Sequence, residues 1–299
     1  SKGSSTFSAI TPMGRQHEND REATAADLKW LADPAEEPEP FGDGGTKMAW
    51  NTFNVVSIYP NGNPVMSDVN QRWVGDCCAC AVIASMAYLY PRFVKHIIKD
   101  NMDKTYTVTM YDPKGKQISV GVGGDYFIGN SGDLGALGGR NKEVTWATIL
   151  EKAMIKWNQI YQGSSNVGGI GTEYVSAIFT GDGESVGFGA NALIAEDLQR
   201  AVEVSLKQGR LVIGGFTRSG EQVDQNWQTT SGHAFTFILP DDNTHLFKMR
   251  NPWGGTTDGV MKVKDDGRIP PMIDLRICAP GAAKNYGVGP DLGGYIPNF

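Results

Sequence analysis

Cysteine is scarce in this chain and poorly spread for cross-linking. The 299 residues include four, and three of them, Cys77, Cys78 and Cys80, fall within four positions, with Cys278 far downstream. A disulfide scaffold distributes its cysteines, so this set points instead to a reducing, cytoplasm-like compartment or to a thiol site. Long hydrophobic runs are also missing. The longest, Ala79 to Tyr90, is interrupted by Ser85 and falls well short of the ~20 apolar residues that a membrane-spanning helix needs. No basic-plus-apolar leader opens the sequence. Charge of one sign is not concentrated either: 27 Lys+Arg against 33 Asp+Glu leave a net −6. No Lys/Arg cluster carries interleaved aromatics, so neither nucleic acid nor a membrane is expected as a partner.

What is present is ordinary globular material, 40% hydrophobic and 20% charged, enough for one large or two modest domains. Residues 1–55 read as a polar arm, with A-D-P-A-E-E-P-E-P-F-G-D-G-G from Ala32 to Gly45 and one short helix, Thr24 to Leu31. A pro-segment lying in a cleft is the alternative for this arm. Residues 56–190 read as a helical lobe. Gly75 to Ile98 forms a long buried helix that Pro91 ends or kinks. Thr105 to Val122 alternates as a β-hairpin about a Pro-Lys-Gly turn. Val144 to Trp157 has the helical period, with Trp146, Ile149, Leu150, Ala153 and Trp157 on one face. A Gly-rich N-V-G-G-I-G follows. Residues 191–279 read as a β-rich lobe: a helix over Ala195–Gln208 closed by Gly209, then strands over Arg210–Phe216, His233–Leu239, His245–Asn251, Val260–Lys264 and Met272–Cys278. Residues 280–299 lack any period and read as an extended tail. The expected class is α+β, a helical first lobe against an antiparallel β-rich second lobe, with a cleft between them.

The chemistry concentrates in Q-R-W-V-G-D-C-C-A-C-A, Gln71 to Ala81. Cys77 stands at the start of the buried helix, where unpaired N–H groups and the helix dipole favour thiolate over thiol. Gln71, six residues earlier, offers a side-chain N–H to a developing oxyanion. The second lobe supplies His233 and, eighteen residues on, Asn251. At the ends of consecutive antiparallel strands these two lie side by side. The asparagine oxygen then accepts from one imidazole nitrogen and fixes the ring. Trp253 follows at once and can cover that bond. A cysteine, a histidine and an asparagine in this order are the parts of a papain-type site. Cys78 and Cys80 are expected to pack inward. The rival readings are a redox C-x-x-C at Cys77 and Cys80, which lacks its βαβ context, and a zinc site, for which His17, His96, His245 and Cys278 stand too far apart in sequence.

At these residues the chain resembles the calpain family, within the papain-like superfamily of cysteine peptidases. The family's Asp-hydrophobic-x-Gln-Gly-x-Leu-Gly-Asp-Cys-Trp run appears as D-V-N-Q-R-W-V-G-D-C-C, Asp68 to Cys78. Its Gly-His-Ala and Arg-Asn-Pro-Trp-Gly appear as Gly232-His233-Ala234 and Arg250-Asn251-Pro252-Trp253-Gly254. Its Trp-x-x-Leu-Leu-Glu-Lys-Ala helix is similar to Trp146 to Lys156, followed in family order by Tyr161, Gly168-Gly169 and Thr180-Gly181. Leu275 to Cys278 resembles its last core strand. The tryptophan after the family's nucleophile is Cys78 here, and the glycine after its glutamine is Arg72. No EF-hand loop or C2-like sandwich follows, so the likeness is to a bare protease core.

The resemblance implies a papain-like two-lobed fold and endopeptidase activity on protein or peptide substrates. Cys77 would be the nucleophile, His233 the base, Asn251 its orienting partner and Gln71 an oxyanion donor. Family members bind calcium in each lobe. The first site matches Asp68 and Glu151, whereas the second is poorly matched after Trp253, with only Asp258 nearby. No cofactor is expected to be required, and calcium at Asp68 and Glu151 is the one candidate. A catalytically silent peptide-binding module is the alternative, because Cys78 replaces the family tryptophan.

Overall fold

In the computed structural model, described residues are 19–41, 48–188, 195–216, 219–220, 230–239, 247–254, 259–261 and 273–287. Thr24 caps the first helix, α1 (Ala25–Ala32), through a reciprocal pair with Asp27. A short strand β1 (Ala49–Thr52) and a 3-10 turn at Met66–Asp68 lead to α2 (Cys77–Leu89). The helix expected over Gly75–Ile98 breaks at Pro91, as the sequence suggested: α3 (Pro91–Ile97) leaves α2 at 113°. Pro91 takes the first position of the new helix, where its missing N–H costs nothing. Strands β2 (Ile98–Asp100), β3 (Tyr106–Tyr111), β4 (Gln117–Val122) and β5 (Asp125–Ile128) follow, then α4 (Trp146–Tyr161) and α5 (Thr172–Thr180). The second lobe holds β6 (Ser185–Phe188), α6 (Ala195–Lys207), β7 (Leu211–Phe216), β8 (His233–Ile238), β9 (Phe247–Arg250), β10 (Gly259–Met261) and β11 (Ile273–Cys278).

Among the described residues the strands form three antiparallel sheets: β1-β5, β2-β3-β4 and a six-stranded sheet ordered β10-β9-β8-β7-β11-β6. The class is α+β, as expected. The hairpin β3-β4 turns at Asp112–Lys116, where the Asp112 carboxylate accepts from Lys114 and Lys116 N–H and Gly115 takes a positive φ. Helix α6 ends as read, with Gly209 at φ 70. Several features differ from the expectation. The pair β1-β5 and the helix α5 carried no clear period, being short or flanked by glycine. Strand β6 falls inside the range assigned to the first lobe, yet it pairs with β11 in the second. Gly281–Tyr286 forms a 3-10 helix in place of extended chain. The expected strand ends at His245 and at residues 262–264, the chain before residue 19 and residues 288–299 lie outside the described residues.

Helix α2 is the axis of the molecule. Every residue from Ala79 to Leu89 is buried, because α4 and α5 cover one side and β7 and β8 the other. Polar bonds tie it to the second lobe: Thr236 Oγ1 donates to Ala81 O at 2.8 Å, and the Tyr90 hydroxyl donates to Gly209 O. The nucleophile candidate is therefore held by a rod that both lobes grip.

Helix α4 corrects the one-face reading. Its five predicted apolar residues are buried, but so are Glu151, Lys152 and Lys156. The arm explains the lysines. Lys152 pairs with Glu37 at 2.7 Å and lies over the Trp50 ring. Lys156 donates to Asp33 O at 2.9 Å and to Gly121 O at 2.7 Å, with its amine over Trp30. The arm fits this closely because β4 carries Gly121, where any Cβ would strike Ala32 O and Pro34.

Candidate active site

The site is assembled where α2 begins. Cys77 is the first residue of that helix and is only partly buried. Its thiol is pulled down to about 4, chiefly by a hydrogen bond from the Cys78 thiol. Bonds from the His233 ring and the Ala234 N–H, and the positive potential of His233, act in the same direction against burial. In the resting geometry its Sγ also lies 3.6 Å from Gly232 O. Cys78 is pushed the opposite way by the Cys77 sulfur it serves and by burial. Cys80 is wholly buried, as expected, but Cys78 is more than packing: it is the donor nearest in sequence to the thiol. Cys77 and Cys80 have separate surroundings, Cys80 donating to Asp76 Oδ1 at 3.3 Å, which does not suit a C-x-x-C pair. His96 stacks on Tyr286 at 4.5 Å. His17 and His245 fall outside the described residues.

His233 opens β8 and Asn251 follows β9. The pairing Thr236↔Arg250, continued by one step, sets Asn251 opposite Phe235 and one diagonal from His233 on the same side of the sheet. His233 Nε2 and Asn251 Oδ1 are 2.6 Å apart, and both residues are buried. The Trp253 N–H donates to the same Oδ1 at 3.1 Å. Because that neighbour can only donate, the oxygen of the amide is the atom turned to both. His233 therefore carries its proton on Nε2, leaving Nδ1 for the sulfur. The Trp253 ring lies over the imidazole, centroids 4.4 Å apart, and shelters the His–Asn bond as the sequence suggested.

Gln71 lies against the asparagine segment. Its backbone N–H donates to Pro252 O at 2.7 Å, and its side-chain Nε2 donates to Val74 O at 2.8 Å. Asn70 beside it is gripped by the Arg250 guanidinium at 3.2 Å. Gly254 closes this seam: its φ is +74, and a Cβ there would overlap Asn70 Oδ1. The loop before the nucleophile and the loop bearing Asn251 are thus stitched across the lobes.

The two residues matched to calcium belong to separate hydrogen-bond groups. The Asp68 carboxylate accepts from Asn61 Nδ2 at 2.7 Å, Val65 N–H at 3.2 Å and Trp146 Nε1 at 2.7 Å. N–H groups turned on both oxygens suit a structural carboxylate and repel a cation, so Asp68 does not fit the metal. Glu151 sits instead in a buried cluster with Asp76 and Cys80, with donor atoms all within 4.8 Å of one another. Sequence reasoning missed this cluster because 75 residues part Asp76 from Glu151 and no linear spacing joins them. Asp258 is outside the described residues.

A comparison with curated proteins finds no match. A comparison with protein families does, and the stretch it matches holds the features just described: a buried histidine–asparagine pair closing on a helix-terminal cysteine, in an α+β frame of antiparallel sheets. The chain belongs to the calpain family of cysteine proteases, whose family model matches residues 50–259.

Proposed function

We propose that this calpain-family core is an active cysteine endopeptidase that cleaves peptide bonds through Cys77, His233 and Asn251. The observation that carries the reading is the 2.6 Å His233–Asn251 bond beside a Cys77 thiol pulled down to about 4 by Cys78 and by His233. His233 Nδ1 takes the Cys77 thiol proton, and the thiolate attacks the scissile carbonyl carbon. The oxygen that gains charge is met by the Cys77 backbone N–H at the helix start and by the second N–H of the Gln71 amide, the first being used by Val74. His233 protonates the departing amine and leaves a thioester on Cys77. It then takes a proton from the water that releases the acid product. Asn251 keeps the ring in the tautomer and plane that both steps need.

The test is direct. The chain is incubated with a fluorogenic peptide library and, separately, with a peptidyl vinyl sulfone, and the adduct is mapped by mass spectrometry. Turnover with label on Cys77, both lost in Cys77→Ala, supports the reading. Label on Cys78 or Cys80 overturns the assignment, and absence of turnover and label together leaves a silent peptide-binding module.

A further inference from the structure

The three-stranded sheet of the first lobe ends on an open edge. Its order is β2-β3-β4, so among the described residues β4 has no strand on its outer side. At the hairpin turn the Asp112 N–H donates to Lys116 O at 2.8 Å, and the register sets Tyr111 opposite Gln117. Residues 116, 118 and 120 therefore bond inward to β3, while 117, 119 and 121 turn their N–H and C=O outward. Gly121 agrees with this parity, since its O accepts from Lys156 Nζ at 2.7 Å. The arm closes the edge there, where a Cβ on Gly121 would strike Ala32 O and Pro34. Nearer the turn the arm stands off. A cavity of about 610 Å³ lies between Arg21 and Leu28 of the arm and Lys116, Gln117 and Ser119 of the hairpin, with Tyr161 also in its lining. Gln117 and Ser119 are exposed. Among the described residues nothing bonds to their outward N–H and C=O groups.

The charges around this cavity are not all committed. Lys114 pairs with Glu22 at 2.9 Å. The Asp112 carboxylate is occupied by the Lys114 and Lys116 N–H groups, and Asp20 by the Tyr174 hydroxyl and Gln162 Nε2. Arg21 and Lys116 are different: both are exposed, and among the described residues neither side chain has an acidic partner. Uncommitted cations beside an unpaired strand edge suit one kind of ligand. We propose that this edge is a second binding site, at which an extended acidic segment of the protein substrate adds to β4 as a further strand. The site rests on the peptidase reading above for the identity of its ligand, and it is built from elements that carry none of the catalytic residues. The segment's backbone bonds to the N–H and C=O groups of Gln117 and Ser119, and a carboxylate side chain meets Lys116 or Arg21. A basic segment would leave both cations opposed. Because the arm blocks the edge at Gly121, the added strand is short and its affinity modest. Its use is to hold an unfolded substrate by one segment while another reaches Cys77, which raises the effective concentration of the scissile bond.

The test uses the full chain carrying Cys77→Ala, which cannot cleave its ligand, and a fluorescein-labelled peptide of alternating valine and glutamate with blocked ends. Binding is read by fluorescence polarisation. Ser119→Pro removes one outward N–H at a position where an edge strand tolerates proline. It should weaken binding roughly tenfold, the worth of one good hydrogen bond. Lys116→Glu should weaken it about threefold to tenfold. The same peptide N-methylated at every residue should lose binding, and one with lysine for glutamate should bind far more weakly. In the wild-type chain the unlabelled peptide should raise KM for casein and not for a short fluorogenic substrate. Binding left unchanged by both Ser119→Pro and Lys116→Glu overturns the proposal, as does no saturation by about 1 mM peptide or equal binding of the lysine peptide. Equal competition against casein and the short substrate places the peptide in the catalytic cleft and overturns it too. If Ser119→Pro does not fold, Lys116→Glu and the methylated peptide still decide. If the wild type hydrolyses nothing, the peptidase reading fails alone, because polarisation needs no turnover.

Discussion

Glu151 and Lys152 are neighbours on one helix, both buried, and the protein handles their charges in opposite ways. Lys152 and Lys156 point to the arm, which brings Glu37, the Asp33 carbonyl and the rings of Trp30 and Trp50 to meet them. Glu151 points to the nucleophile helix and meets another acid, Asp76, with a thiol for company. On the arm side both lysines have acceptors, and the expected consequence of a change there is lost stability. On the site side both partners are acids, and a change there is expected to act on the surroundings of Cys77. The same helix thus presents a stabilising face and a chemical face, and variants on each should move different observables.

The largest separation is expected between His233 and Lys156. His233→Ala removes the base and should lower kcat on the order of 10⁴-fold, as loss of a catalytic triad member does elsewhere, with the melting temperature nearly unchanged. Gln71→Ala should follow at roughly 10²–10³-fold, the cost of one oxyanion donor. Steady-state kinetics beside thermal melts checks both. A Gln71→Ala enzyme with wild-type kcat would make that side chain structural, through Val74 and Pro252 alone.

On the arm face the order reverses. Lys156→Met keeps the volume but leaves the carbonyls of Asp33 and Gly121 without their donor, at a cost of about 1–3 kcal/mol. That corresponds to roughly 2–4 °C of Tm for each kcal/mol, with kcat per folded molecule unchanged. Deleting the chain through Phe41 should cost more still, because it uncovers both lysines and removes Leu31 from the core. A removable pro-segment would behave otherwise: its deletion would spare stability and raise activity. The two faces should also differ in the sign of their pH dependence. Burial lowers Lys156 to about 8 from 10.5, so its unfolded state binds more protons between those values. Stability is full above 10.5 and falls as pH drops through 8. Asp76 is raised from 3.8 to about 6. Its contribution is full below 3.8 and is lost as pH rises through 6. Denaturant melts across pH should show the first slope vanish in Lys156→Met and the second in Asp76→Asn.

The sequence revealed more of the site than of its supports. Cys77, His233 and Asn251 could be placed because helix start, strand start and strand end are local events with local signals, and the cross-strand register then does the rest. Helix α4 was legible as a helix from its apolar spacing. That its charged residues are buried was not, because the covering arm lies more than a hundred positions away in sequence and its composition resembles an exposed linker. The Asp76–Glu151 pair was hidden for the same reason. The 113° break between α2 and α3 was legible from Pro91 alone. The strand β6 and helix α5 were not, since a four-residue strand carries too little alternation and α5 is bounded by glycines at 171 and 181.

A smaller effect is expected at Cys78. Its thiol is the foremost of the groups that hold Cys77 down to about 4. Cys78→Ala removes that donor and should raise the Cys77 pKa, so that the acid limb of the kcat/KM profile moves to higher pH. His233 and the Ala234 N–H remain, so the plateau above the limb should be retained. Profiles measured side by side with Cys80→Ala make the comparison sharp. Cys80 faces Asp76 and not the sulfur, and its removal should leave the limb in place. A limb unmoved in Cys78→Ala would mean that the helix start and His233 alone set the thiolate.

The smallest effect is expected from calcium. The resemblance to the family assigns a first-lobe ion to Asp68 and Glu151, but the Asp68 oxygens already face three N–H donors. Calcium takes six to eight oxygens at about 2.3–2.6 Å, and each of those donors would have to turn away before a first carboxylate could join such a shell. Glu151 has one buried oxygen without a partner, and its carboxyl lies in a cluster with Asp76 and Cys80. Hydrolysis and melting temperature measured with chelator and with added calcium should therefore coincide. Asp68→Asn tests the same carboxylate by another route. The amide still accepts through one oxygen but sets an N–H against the Trp146 or Asn61 donor, so stability should fall whether or not calcium is present. If calcium raises the melting temperature of the wild type and Asp68→Asn abolishes that rise, the donors around Asp68 rearrange to admit an ion. The face of α4 beside the nucleophile helix would then be metal-linked, and the contrast between its two faces would need to be redrawn around a cation.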